Sequence, residues 1–128
     1  MTKLKQLHSL KLLLTVRAEC SKYLGVSHSL IPVDIFTELM HAELEGKELS
    51  VKQLFSKLPY SDMGIRYHIR QLTANGWIET NPTQKDHRVK SIHSKEKLRV
   101  QFALLSESLT VALSSHQPPE SVQLNLLV

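Results

Sequence analysis

A mainly α fold carrying one small β ribbon is what this sequence predicts, and three observations predict it. Apolar residues recur at helical spacing in five separate segments. Two of those segments are short and are joined across a Pro59–Ser61 turn, and directly after Asn75-Gly76 the periodicity switches from helical to alternating.

The first segment places Leu4, Leu7, Leu10, Leu13, Leu14, Cys20 and Leu24 among Lys and Arg residues, which predicts an amphipathic helix over 3–24 ending at Gly25. Ser29 to Pro32 is a start signal. It precedes a core stripe of Ile35, Phe36, Leu39, Met40 and Leu44, so a second helix is expected over 32–45, stopped by Gly46. Ser50 then stands as N-cap before Val51, Leu54, Phe55 and Leu58, a helix of about two turns that Pro59 ends. Ser61 caps the next helix, whose apolar positions Ile65, Ile69 and Leu72 run until Asn75-Gly76. Two helices separated by so short a turn form a helix-turn-helix.

Trp77 to Thr80 suits a strand, Asn81-Pro82-Thr83-Gln84 a turn, and Arg88 to Ile92 a return strand, giving a two-stranded wing. From Ser94 a last helix repeats Leu98, Phe102, Leu105, Leu109 and Ala112 at alternating spacings of four and three and runs to about Ser115. The expected architecture is therefore a winged helix-turn-helix with flanking N- and C-terminal helices. It forms a single domain, 1–128: helices 3–24 and 95–115 flank a lobe at 30–93, and a tail follows over 116–128.

The chain has 128 residues, enough for one core and few for an enzyme with separate cofactor and substrate lobes. Sixteen Lys and Arg against twelve Asp and Glu leave a net charge of +4, unevenly spread. Residues 1–24 and 61–97 are basic, whereas 30–49 carry Asp34, Glu38, Glu43, Glu45 and Glu48 against Lys47 alone. Basic segments of this kind favour a polyanionic partner. A lone cysteine, Cys20, the lack of a secretory signal pattern and the lack of a bilayer-length apolar run point to a cytoplasmic protein without a membrane partner.

No enzyme chemistry is expected. Phosphate-cradling glycine loops, nucleophile elbows and paired carboxylates have no counterpart in the chain. The histidines (His8, His28, His41, His68, His87, His93 and His116) are scattered without ligand spacing, so neither a metal nor a cofactor is expected. Cys20, on the apolar first helix, reads as a small core residue.

The helix over 61–75 carries the functional signal. With Ile65, Ile69 and Leu72 facing the core, Met63, Tyr67, Arg70 and Gln71 point away and Arg66 lies at the flank. Arg suits the acceptor edge of guanine, Gln suits adenine, and Tyr can bond a phosphate, which together fit a helix in the DNA major groove. Ser61 and the free N–H groups at the helix start suit a backbone phosphate. Gly64 weakens the helix by about 1 kcal/mol relative to Ala, which close approach of the backbone to DNA would explain. His68, bordering the core stripe, reads as half-buried packing.

Leu72, Gly76-Trp77-Ile78 and Asp86-His87-Arg88 stand at spacings that resemble the MarR-like family of winged helix-turn-helix bacterial transcription regulators, and Leu49-Ser50-Val51-Lys52-Gln53-Leu54 is similar to that family's first helix of the motif. The resemblance covers about residues 30–95. Thr80, His93-Ser94 and Gly64 depart from the family's usual residues. The resemblance implies that Asp86 braces the wing through the neighbouring arginine and that Arg88 reaches the minor groove; Lys85, His87 and Lys90 would add phosphate contacts. It also leaves room for control by a small-molecule effector.

The first and last helices carry more apolar positions than one small domain needs, so they are expected to act as dimerisation helices. The predicted function is a sequence-specific double-stranded DNA-binding regulator acting as a homodimer on a palindromic operator. The alternative is a winged-helix module for protein interaction, docking through the acidic 34–48 helix or the apolar tail.

Overall fold

The computed structural model describes residues 2–25, 29–83 and 86–115. Lys85 and the 116–128 tail, with its alternating Val122, Leu124 and Leu126, lie outside the described residues.

Five helices and three strands follow in the order α1 (Lys3–Leu24), α2 (Ile31–Leu44), β1 (Leu49–Ser50), α3 (Val51–Lys57), α4 (Asp62–Ala74), β2 (Ile78–Pro82), β3 (Lys90–Ser94) and α5 (Glu96–Ser115). The described residues fall into two compact units, one comprising 2–25 with 102–115 and the other 29–101. The second is the winged helix-turn-helix.

Local chemistry sets the helix ends. Thr2 accepts a hydrogen bond from the Lys5 N–H and begins α1, and Gly25, in the left-handed region at φ 65°, ends it. Ser50 and Gln53 exchange bonds of 3.1 and 2.9 Å in a reciprocal capping box that starts α3. At the end of α4 the Trp77 N–H reaches the Leu72 carbonyl (3.0 Å) and the Gly76 N–H reaches that of Thr73 (3.2 Å), with Gly76 at φ 81°. That paired pattern needs a residue at positive φ, which glycine adopts without steric cost.

The lobe's core is closed. Ile35, Phe36 and Leu39 of α2, Leu54 of α3, Ile65 of α4, Ile78 of β2 and Leu98 of α5 have no exposure, and Ile92 of β3 is 1% exposed. Leu44, expected in the same stripe, is instead 75% exposed, because α2 ends on it and the chain turns away at Gly46.

The wing is three-stranded rather than two-stranded. The strand order is β1-β3-β2, all antiparallel, with Leu49 opposite Ile92, Ser50 opposite Ser91, and Ile78 to Pro82 opposite Ser94 to Lys90. Two residues are too few to show an alternating pattern in sequence, and β1 is held by its pairing with β3 and by burial of Leu49 (3% exposed). Asn81 and Pro82, expected in the turn, extend β2, and the return strand begins at Lys90 rather than Arg88. Pro82 is accommodated because β2 is an edge strand.

Polar contacts tie distant parts of the lobe together. Glu43 of α2 accepts from both the N–H and the hydroxyl of buried Ser94, where β3 gives way to α5. Arg99 donates to the Ser94 carbonyl and hydroxyl. Tyr60, in the turn of the helix-turn-helix, donates to the Asp34 carboxylate on α2. That bond, followed by burial and the Asp34 charge, holds the Tyr60 phenol above its ordinary value. Trp77 packs on Phe36 at 5.3 Å between ring centres and receives Lys97 over its own ring at 4.4 Å.

In the helical unit, Ser108 of α5 donates to Glu19 of α1, and Leu105 is buried. Cys20 is half-buried, and burial followed by the Glu19 charge pushes its thiol up, which keeps it protonated. The opposite side of α1 is open. Leu4, Leu7, Leu10, Leu13 and Leu14 are between 48% and 63% exposed, and on α5 Leu104, Val111 and Leu113 are also exposed.

Candidate nucleic-acid interface

Burial of Ile65, Ile69 and Leu72 fixes how α4 is rotated and presents its remaining side chains outward. Met63 is 79% and Tyr67 51% exposed, and Arg66, Arg70 and Gln71 are exposed as well. An exposed methionine and tyrosine beside two arginines and an amide give this face both apolar and hydrogen-bonding reach. His68 is half-buried, with the Tyr67 ring edge-on to it at 5.2 Å.

At the start of α4, the Ser61 side chain accepts a 3.0 Å hydrogen bond from the Gly64 N–H. Its hydroxyl is thus engaged as a cap while its own O–H remains able to donate to an anion. The same hydroxyl lies close to Gly64. A Cβ at residue 64 would lie 3.2 Å from Ser61 Oγ, tight against the cap, and in ordinary contact with Ile31 Cδ1 at 3.7 Å.

In the wing, the Asp86 carboxylate accepts from the Arg88 backbone N–H at 3.0 Å and from its Nε at 3.3 Å. Thr83 closes the loop from the other side. Its N–H donates to the Val89 carbonyl at 2.8 Å, its hydroxyl donates to the Asp86 carbonyl at 2.7 Å, and that hydroxyl accepts from the Asp86 N–H at 3.1 Å. The Arg88 side chain is 91% exposed, so this scaffold holds a cation almost wholly in solvent. His87 and Lys90 are exposed beside it.

Helix and wing meet along a basic seam. One open depression is lined by Arg66, Arg70, Thr73, Thr80 and Lys90 over Val51, Ile69 and Ala74. A second, sharing Val51, Arg66 and Lys90, continues to Lys52, Phe55, Asp62 and Arg88. Arg66, Arg70, Arg88 and Lys90, expected from sequence, are therefore brought together. Lys52 was not singled out in the sequence, and its position in the first helix of the motif is the signal that pointed there. Among the described residues Asp62 is the one carboxylate on these two linings. On the far side of the sheet the surface changes sign: Glu43, Glu48 and Asp86 line a hollow with Lys47 and His93.

Among the described residues, no group of three or more His, Cys, Asp or Glu side chains is placed to hold a metal ion, and no helix is long and apolar enough to cross a membrane.

No family profile and no curated protein matches the sequence. Solved structures do match the fold. The YusO protein of Bacillus subtilis aligns with a TM-score of 0.69 at 15% identity, covering 95% of this chain and 84% of that one. The transcriptional regulator Tm0710 of Thermotoga maritima gives 0.64 at 18% identity over 91% and 84%. A structure assigned as a MarR-like transcription regulator from Bacillus cereus gives 0.62 at 12% identity over 95% and 86%. The chain has the MarR-like winged-helix fold.

Proposed function

We propose that this chain is a transcription regulator that binds double-stranded DNA in a sequence-specific manner, as a homodimer on a palindromic operator. The observation that carries the reading is the basic seam, in which α4 and the wing set Arg66, Arg70, Arg88, Lys90 and Lys52 side by side on an otherwise complete winged helix-turn-helix. Met63, Tyr67, Arg70 and Gln71 would read base edges in the major groove, and Ser61 would hold a phosphate at the helix start. Arg88, presented by Asp86, would enter the adjacent minor groove, where a narrow, electronegative channel favours arginine.

The homodimer is supported by α1, whose outward leucines are too numerous and too exposed for a helix meant to face water on that side. Pairing through α1 and α5 would place two reading helices in successive major grooves about 34 Å apart. Promoter position would then decide between repression and activation, and the resemblance leaves room for a small-molecule effector.

Gel shift on genomic fragments at two salt concentrations tests the DNA reading. Affinity should fall steeply as salt rises, because each neutralised phosphate releases counterions. Failure to shift any fragment at low salt would favour a protein-interaction module. Sedimentation at micromolar concentration tests the dimer separately.

A further inference from the structure

Arg66 belongs to the seam more than to the reading face. Its guanidinium carbon lies 4.9 Å from the centre of the Phe55 ring, so a residue of α4 is laid over an aromatic platform on α3. The same side chain lines both depressions between α4 and the wing. In the second of them Lys52, Arg66, Arg88 and Lys90 line one open hollow with Asp62 as the one carboxylate on that lining among the described residues, and Arg88 is paired with Asp86 of the wing. Lys52, Arg66 and Lys90 share this lining with one carboxylate, and a shared anion would relieve their mutual repulsion.

We propose that Lys52, Arg66 and Lys90 form a clamp for one backbone phosphate of duplex DNA where the chain passes from major-groove helix to minor-groove wing, with Arg88 left to the wing tip and Phe55 as the positioning residue that holds Arg66 in the clamp. The proposal rests on the DNA-binding reading and deepens it. A planar guanidinium matches two phosphate oxygens at once, while lysines contribute as point charges, so this cation set suits a phosphodiester. The hollow opens to solvent along the seam, as a ligand strung on a polymer requires. Arg66 thereby stands apart from the base-reading set of Met63, Tyr67, Arg70 and Gln71.

Fluorescence anisotropy with a labelled mixed-sequence DNA duplex, titrated at several salt concentrations, tests this on the full chain. Arg66→Gln and Lys52→Gln should each weaken binding, and each should reduce the slope of log affinity against log salt by about 1. Phe55→Leu should weaken binding, and Phe55→Tyr should restore it, since both keep an apolar body but only tyrosine keeps the ring face. A Phe55→Leu chain that fails to fold leaves the decision with Arg66→Gln and Lys52→Gln. Wild-type slopes in those two variants would overturn the clamp while leaving DNA binding intact, as would an Arg66→Gln variant that altered preference among duplexes selected from random sequence. A wild-type chain that binds no duplex at low salt would remove the DNA reading and the clamp with it.

Discussion

The two compact units use their apolar residues in opposite ways. In the winged lobe the apolar stripes of α2, α3 and α4 end in a sealed core, with Ile35, Phe36, Leu39, Leu54 and Ile65 wholly buried. In the helical unit α1 half-buries one side, with Leu24 its one buried residue, and leaves five leucines at least 48% exposed on the other. Leucine at helical spacing therefore has two meanings in this chain. In the lobe it marks a core that is already closed; on α1 it marks side chains exposed among the described residues, which the proposed second copy would cover.

The contrast can be broken first at the lobe. Phe36→Ala removes a fully buried ring that also supports Trp77 and should cost about 3–5 kcal/mol in urea denaturation; a loss below about 1 kcal/mol would mean that the core is less closed than its burial says. At α1 the same logic predicts a different readout. Replacing Leu7, Leu10 and Leu14 together by Gln should convert a dimer to a monomer in sedimentation while the lobe keeps its Trp77 fluorescence. A triple variant with wild-type sedimentation would detach these leucines from assembly.

The smallest expected effect lies at the turn of the motif. Tyr60→Phe deletes the bond to Asp34 and should cost about 1 kcal/mol, reduced by the site's partial exposure. Because the folded chain raises the Tyr60 value above that of an unfolded phenol, its contribution is complete below the ordinary phenol value and is lost as pH rises through the raised one. Urea midpoints followed into alkaline pH should fall less steeply in Tyr60→Phe than in wild type. Parallel curves would show that the bond is not a stability term.

Legibility in the sequence followed distance along the chain. Helix ends were readable because caps are local: Ser50 with Gln53, Ser61 with Gly64, and Gly76 at the end of α4 each act within a few residues. The outward set of α4 was readable for the same reason, since rotation follows from Ile65, Ile69 and Leu72. What sequence left hidden was tertiary. The third strand exists through pairing of Leu49 with Ile92, the Glu43–Ser94 clasp joins residues 51 positions apart, and the Phe55–Arg66 contact needs α3 and α4 already docked. The closeness of Gly64 to the Ser61 hydroxyl is likewise something that no pattern of residue types displays.

Ser50 holds two positions at once, as the last residue of β1 and the N-cap of α3. No linker separates sheet from helix, so the wing and the first helix of the motif share a joint without slack. The helix α3 touches β1, β3 and α4, so a push on the wing would reach α4 through it. If the lobe binds DNA as proposed, a joint without slack would favour one separation of helix and wing, and a duplex of the wrong width would have to deform or be refused.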